Sequence, residues 1–146
     1  MKFKLVIDSA QEEQVVVTAR HPSALTEQIE ALVLQYAGAD RVPAYAEDDV
    51  KMLPFDQIEC ITVLDGKTWA IDRQGERFRL KLRLYELEER LSTNFIRINK
   101  STLANEKYIE RFQVAFSGAV DAIFQCGYRE YVSRRCFADI KRRYGL

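Results

Sequence analysis

Two stretches of the sequence place hydrogen-bond donors directly after a short apolar run. The runs are 95–98 and 131–132, and both have the composition of strands. The donors that follow them are Asn99, Lys100 and Ser101 in the first stretch, and Ser133, Arg134 and Arg135 in the second. Ammonium, guanidinium, amide and hydroxyl groups contact phosphate oxygens and base edges in nucleic acids. The two stretches therefore predict a β-scaffold whose cationic loops bind a polyanion.

A further cation lies at the tip of a predicted hairpin. The segments 58–64 and 67–71 read as strands, and Asp65-Gly66 between them is a strong two-residue hairpin turn. We expect Lys67 to project from this tip. Each of these cations taken alone has an ordinary alternative, a solvated surface charge. Their concentration where strands end favours a binding site.

The net charge of zero is the average of two unlike parts. Residues 1–49 hold 4 Lys+Arg against 9 Asp+Glu, and residues 50–146 hold 18 against 13. The first part is therefore acidic by five charges and the second basic by five. Such an asymmetry indicates a basic binding module beside an acidic segment.

The composition excludes several classes of protein. With 47% hydrophobic and 30% charged residues, the 146-residue chain reads as globular, and no apolar run is long enough to cross a bilayer. We therefore expect a cytoplasmic protein. Three cysteines without CxxC spacing and a single histidine predict no disulfide framework and no metal site. No nucleotide-binding or hydrolase motif is present, so we expect neither a cofactor nor catalysis.

The N-terminal residues 1–45 predict a small ββα unit. Alternating apolar residues favour a strand at 2–7, and 14–19 reads as a second strand. Ser23 is a good N-cap for a helix that ends at Gly38. The following segment, 41–49, reads as a linker, with a proline and three consecutive acids. So small a unit buries little by itself, and we expect it to dimerise or to dock on the rest of the chain.

The remainder, residues 46–146, predicts a mostly β domain with short helices. The predicted helices span 81–91 and 136–144, and their apolar residues recur at helical spacing. Strands are predicted at 52–54, 58–64, 67–71, 77–80, 95–98, 110–116, 119–126 and 131–133. The order of elements contains no pair of consecutive helices, which argues against a helix-turn-helix.

Several of these segments closely resemble the LytTR family of bacterial DNA-binding domains. The matching stretches, in order along residues 50–146, are Leu53–Ile58, Asp65–Lys67, Leu80–Leu91, Phe95–Asn105 and Val132–Arg135. The resemblance implies an α+β fold in which the ββα unit precedes an elongated, mostly β LytTR-like domain. It also implies a transcriptional regulator that inserts loops, rather than a recognition helix, into successive major grooves of double-stranded DNA. Paired sites on one face of the duplex imply a homodimer, at least on DNA.

The resemblance also assigns roles to single residues. Base and phosphate contacts in the family come from the hairpin loop, the turn after the Phe-x-Arg strand, and the Ser-Arg segment. Carried over, the DNA-binding residues are Lys67, Asn99, Lys100, Ser101, Arg134 and Arg135. Many members have a histidine where this chain has Asn99 or Lys100, so the identity of the base that is read does not carry over.

The N-terminal part departs from many members of the family. A receiver domain needs more than a hundred residues, and only about 45 precede the DNA-binding part here. The chain resembles the compact members without a receiver, some of which are controlled by a neighbouring membrane protein. That resemblance implies a membrane protein as a regulatory partner.

Two other functions are compatible with the same residues. The basic loops of a protein-interaction or dimerisation module would bind an acidic partner protein, and the acidic segment 1–49 could cover them in cis. A single-stranded nucleic-acid binder needs exposed aromatic residues among the cations, for which Tyr128 and Tyr131 are the nearby candidates. Retention on duplex against single-stranded DNA separates these interpretations.

Overall fold

The computed structural model describes residues 2–146 and shows an α+β fold of three α-helices and ten strands. The helices are α1 (Ala24–Tyr36), α2 (Leu84–Arg90) and α3 (Arg134–Tyr144). The strands are β1 (Arg41–Ala46), β2 (Asp49–Pro54), β3 (Ile58–Leu64), β4 (Lys67–Asp72), β5 (Arg77–Leu80), β6 (Phe95–Asn99), β7 (Thr102–Asn105), β8 (Ile109–Val114), β9 (Val120–Phe124) and β10 (Arg129–Val132). The predicted fold class is confirmed, including its mostly β part with short helices.

The strands form two antiparallel sheets. The larger has seven strands in the order β2-β1-β5-β4-β3-β7-β6, and the smaller has three in the order β10-β9-β8. Neighbouring strands in both sheets pair antiparallel throughout. Short turns between sequential strands produce this arrangement, because an antiparallel pair needs only a tight connection.

Each face of the seven-stranded sheet carries its own apolar core. On one face Ile61, Ala70 and Leu103 pack with Leu84 and Leu87 of α2. The other face, with Cys60, Ile71 and Ala104, packs against the three-stranded sheet and α3. Both faces are apolar because successive side chains of a strand point to opposite sides of the sheet. The central strand β3 is consequently buried from Ile58 to Thr62.

The β3–β4 hairpin has the predicted turn. Asp65 and Gly66 adopt φ angles of 52° and 74°, the left-handed pair that a two-residue type I′ turn requires. Asp tolerates this region and Gly enters it without steric cost. The register then places Leu64 opposite Lys67, so Lys67 begins β4 at the tip.

No two α-helices are consecutive in residues 2–146, so this part of the chain contains no helix-turn-helix. In the same residues no helix is long and apolar enough to cross a membrane. The side chain of Ser133 accepts a hydrogen bond from the Cys136 amide and caps α3, and Gly145 ends it in a left-handed conformation. Helix α3 thus begins two residues earlier than the sequence indicates, at Arg134.

The N-terminal part differs from its prediction. Helix α1 forms, with Ser23 and Thr26 in a reciprocal capping box. The strands predicted at 2–7 and 14–19 are wrong, because residues 2–22 form no strand and their large apolar side chains are exposed. The linker predicted at 41–49 is also wrong. Residues 41–46 form β1, and Val42 and Ala44 of this strand are buried in the core.

Candidate nucleic-acid interface

Three connections meet at one end of the two sheets. They are the β3–β4 hairpin tip (residues 64–67, the first loop), the β6–β7 turn (residues 99–102, the second loop) and the β10–α3 junction (residues 132–135, the third loop). The Val63 amide donates to the Ser101 carbonyl at 2.9 Å, which holds the first loop beside the second. The Ser133 amide donates to the Ile98 carbonyl at 2.8 Å, which holds the third loop beside the second. All six predicted site residues therefore lie at this end of the sheets.

A buried pair of hydroxyls joins the strands beneath the first two loops. The Oγ1 atoms of Thr62 and Thr102 lie 3.0 Å apart, and both residues are buried. Thr62 lies opposite Thr102 in the register of β3 with β7. A satisfied polar pair in a sheet interior specifies this register, because a shifted strand would leave both hydroxyls without a partner.

Asn99 connects the second loop to the third. Its side-chain amide donates to the Tyr131 carbonyl at 2.8 Å, and its Oδ1 accepts from the Ser101 amide at 2.8 Å. Asn99 is only 1% exposed. Both ends of its carboxamide are thus engaged within the protein. The side chain sets the path of the turn, and Lys100 is the residue that this turn projects into solvent.

Arg97 holds the same turn from the other side. Its Nη1 donates to the Lys100 carbonyl at 2.6 Å, and its Nε pairs with the Glu88 carboxylate of α2. The guanidinium therefore ties α2 to the backbone of the second loop. Neither Arg97 nor Glu88 is among the site residues predicted from the sequence. Such a bridge depends on α2 packing beside β6, which no local pattern reveals.

A polar network lies under the second and third loops. Tyr128 donates from its hydroxyl to Glu130 at 2.8 Å, and the same carboxylate accepts from the Asn99 amide at 3.4 Å. Burial, followed by the hydrogen bond to Glu130, raises the pKa of Tyr128 well above its usual value. The Tyr128 hydroxyl is the donor in its hydrogen bond to Glu130, because an ionised carboxylate only accepts.

The four cations of the three loops are accessible to solvent. Lys67, Lys100, Arg134 and Arg135 are exposed, and none of them forms an ion pair within residues 2–146. By contrast, the arginines in ion pairs are Arg41, Arg73, Arg97, Arg129, Arg142 and Arg143. The charges at this end of the molecule are therefore available to an external anion.

The position of two of these cations is unfavourable for the helix that carries them. Arg134 and Arg135 occupy the first turn of α3, where the helix dipole disfavours positive charge. The last turn, where cations are favourable, holds Lys141, Arg142 and Arg143. Cations that cost local stability are expected where function needs them. Here they lie beside the free amides of a helix N-terminus, which also favour an anion.

The chemistry of this surface fits a polyanion. Within the described residues no group of three or more His, Cys, Asp or Glu side chains could hold a metal ion. The three cysteines are free, and burial raises the pKa of Cys60. What remains is a set of ammonium and guanidinium donors on rigidly held turns. Such donors contact phosphates, and an arginine can also read the edge of a guanine.

The chain matches one protein family along most of its length. The model of the LytTr DNA-binding domain matches residues 48–145. The chain is also similar to two proteins of Staphylococcus aureus, from strains MSSA476 and NCTC 8325, both named as uncharacterized HTH-type transcriptional regulators. Each is 27% identical over 149 residues, which cover 100% of this chain and 99% of the relative.

A solved structure has the same fold. It is described as the LytTr DNA-binding domain of a methyl-accepting/DNA response regulator from Bacillus cereus. The match has a TM-score of 0.67 at 21% identity, and it covers 73% of this chain and 98% of that domain. At 21% identity this likeness shows the fold, and it does not show which residues of the loops contact DNA.

Proposed function

The chain belongs to the LytTR family of DNA-binding domains, and we propose that it regulates transcription by binding a specific sequence of double-stranded DNA. The observation that carries this proposal is the set of three adjoining loops whose four cations have no acidic partner in residues 2–146. The loops, rather than a helix, enter the major groove. Hydrogen bonds between the loops hold their relative positions before DNA arrives, so binding costs little conformational entropy.

The six site residues divide into contacts and supports. We assign direct contacts with DNA to Lys67, Lys100, Ser101, Arg134 and Arg135. Of these, Arg135 is assigned to a base edge and Lys100 to a phosphate, because guanidinium groups form the bidentate pair that guanine accepts and ammonium groups act as point charges. Asn99 acts through the shape of the second loop, since its carboxamide is buried and hydrogen-bonded within the protein.

The N-terminal residues 1–45 act as a dimerisation unit in this proposal. Large apolar side chains remain exposed along it: Phe3, Leu5, Val6, Ile7, Val15, Val16, Val17, Leu25, Leu32, Val33 and Tyr36. Within residues 2–146, the hydrogen bonds that tie α1 to a distant part of the chain run from Thr93 to the Glu30 carboxylate. A second copy of the chain would cover this apolar surface on paired DNA sites. A regulatory membrane protein, which the family resemblance implies, is a further partner in the proposal.

Removing residues 1–22 should abolish cooperative binding while leaving the fold intact. These residues belong to neither apolar core, and the cut leaves Ser23 to cap α1. We expect an unchanged melting temperature and unchanged affinity for a single half-site. On a two-site duplex, the coupling of about 1–3 kcal/mol that two contacting protomers supply should disappear. The measurement is titration of one-site and two-site duplexes.

A matched point variant tests the same surface without truncation. Leu32→Glu places a charge on α1, where Leu32 is 66% exposed. It should reduce cooperativity in the same way at the same melting temperature. Full cooperativity in both variants would exclude the dimerisation role of this unit.

The experiment that tests the proposed function is selection of duplexes from a random pool, followed by salt titration. We expect an enriched sequence and a moderate salt dependence, with about three or four phosphates neutralised by each protomer. Single-stranded DNA of the same sequence should bind more weakly. Absence of any enriched sequence, or equal binding of every duplex, would contradict sequence-specific recognition. Preference for an acidic protein over DNA would favour the protein-interaction module instead.

A further inference from the structure

The β8–β9 hairpin ends in an aromatic side chain that the protein does not cover. Phe116 is fully exposed at the tip, and Val114 at the end of β8 is 59% exposed. The tip is an ordered turn, because the Gly118 amide donates to the Ala115 carbonyl at 2.9 Å and Gly118 has a φ angle of 89°. A glycine supplies that conformation without strain. The hairpin therefore holds a large apolar group out in solvent.

This tip lies at the end of the molecule that carries the three loops. Val120 of β9 pairs with Val132 of β10 on one side and with Val114 of β8 on the other. Val132 is followed by Ser133, whose amide binds the Ile98 carbonyl beside the second loop. The chain after Val114 therefore turns at the same end of the sheet at which β10 passes into α3.

One face of the hairpin packs on α3. Phe112 packs on Phe137 of α3, with ring centroids 5.5 Å apart. At the far end of the helix, Arg143 pairs at 3.0 Å with Glu106, which precedes β8. Helix α3 consequently runs antiparallel to β8, and its first turn lies near the end of β8.

Val114 shares the face of Phe112, since residues two apart in a strand point the same way. The exposed Val114 therefore continues the apolar surface on which α3 packs, and Phe116 follows it in the turn. Arg134 and Arg135, in the first turn of α3, lie at the same end of the three-stranded sheet. Single exposed apolar residues are common on protein surfaces. An ordered aromatic tip at the end of the sheet that also carries unpaired arginines is placed to contact the same ligand as those arginines.

We propose that Phe116 is a specificity-determining residue that contacts the C5-methyl group of a thymine in the major groove, next to the base pair that Arg135 contacts. This inference rests on the proposed function. The thymine methyl is the apolar feature that the major groove displays, and phenylalanine is among the side chains that contact it. Arginine contacts and a methyl contact from neighbouring loops together distinguish more base pairs than the cations alone. The tip lies at the same end of the molecule as the cationic loops. The ligand that we propose for Phe116 is therefore duplex DNA rather than another protein.

The first test compares three variants of the full chain on the duplex that the wild-type protein selects. Phe116→Ser should weaken binding on the order of tenfold, as expected when an apolar side chain loses its buried contact. Phe116→Leu should retain most of the affinity, because leucine also contacts a methyl group. Val50→Ser is the matched control: Val50 is 56% exposed on β2, the edge strand at the opposite side of the seven-stranded sheet. It should bind as the wild type does. Melting temperatures should agree for all variants.

The second test removes the methyl from the DNA instead. Each thymine of the selected duplex is replaced in turn by deoxyuridine, which pairs identically but lacks the C5-methyl. One replacement should lower the affinity of the wild-type protein for the duplex about fourfold, as expected when one methyl group loses its contact. The same replacement should leave Phe116→Ser unaffected, since that variant has no contact to lose.

The outcomes separate this inference from the proposed function. If selection from the random pool enriches no duplex, the proposed function is wrong. If a duplex is enriched but Phe116→Ser binds it as the wild type does, the inference alone is wrong. It is equally wrong if Phe116→Ser weakens all duplexes alike, or if it lowers cooperativity without changing single-site affinity. The last result would assign the tip to a protein contact.

Discussion

Replacing Arg135 with alanine is expected to weaken binding to the selected duplex by about 1–3 kcal/mol, the value of one good base contact. Arg135 is exposed in the first turn of α3, has no ion pair within residues 2–146, and lies on a junction that hydrogen bonds hold in place. Its loss should therefore remove discrimination at one base pair. The measurement is titration of the selected duplex and of variants changed at each position. Random-sequence duplexes should lose less affinity than the selected one.

Two other cations provide the contrast that makes this result interpretable. Lys100→Ala should weaken all duplexes alike and lower the salt slope by about one, because a phosphate contact carries no sequence information. Arg142→Ala should have little effect on specificity, since Arg142 lies in the last turn of α3 and pairs with Asp139. Equal affinity of Arg135→Ala and the wild type for the selected duplex would refute the assignment of Arg135. Loss of only specific binding in Lys100→Ala would instead show that Lys100 reads a base.

Shifting one of two half-sites by about 5 bp is expected to abolish paired binding. Half-sites on one face of the duplex are centred about 10 bp, or a multiple of it, apart. A shift of half a turn moves one site to the opposite face, where protomers joined through residues 1–45 cannot both engage. The coupling of about 1–3 kcal/mol should vanish at half-turn spacings and return at whole turns. A spacing series titrated at several salt concentrations measures this periodicity.

The truncated protein is the control for the spacing series. Without residues 1–22 it should bind all spacings equally, with the affinity of a single site. Binding of the full chain that is indifferent to half-turn shifts would mean independent attachment of protomers. Recognition of paired sites would then be excluded, whereas recognition of a single half-site would still be tested by Arg135→Ala.

Local interactions explain which features of the fold the sequence predicted. The Asp65-Gly66 turn and the cap of α1 by Ser23 depend on residues within four positions of each other. Helix α2 was predicted from Leu84 and Leu87, which recur at helical spacing and are both buried. These features involve neighbouring residues only, so composition and spacing contain the information that defines them.

The errors concern segments whose structure depends on a distant partner. The apolar residues of 2–7 and 14–19 are compatible with strands, but a strand also needs a neighbour to pair with, and the described residues offer these segments none. The opposite error occurred at β1, where Pro43 suggested a linker. Proline has no amide hydrogen to donate to a neighbouring strand. β1 tolerates Pro43 because β1 pairs with β5 only at Tyr45 and Arg79, so few hydrogen bonds on that side require an amide.

By itself, the sequence determined the family, the fold class and the positions of the four cations at strand ends. Those properties follow from which residue types occur and how they are spaced. Only the tertiary structure decided that the three loops adjoin, because Ser101 meets Val63 and Ser133 meets Ile98 across long stretches of chain. It also decided that Asn99 is buried as a support, that Arg97 joins the second loop to α2, and that the exposed Phe116 lies at the end of the three-stranded sheet from which α3 begins. Each of these features depends on contacts between residues that are far apart in sequence. The spacing of residues along the chain does not show which of them come into contact.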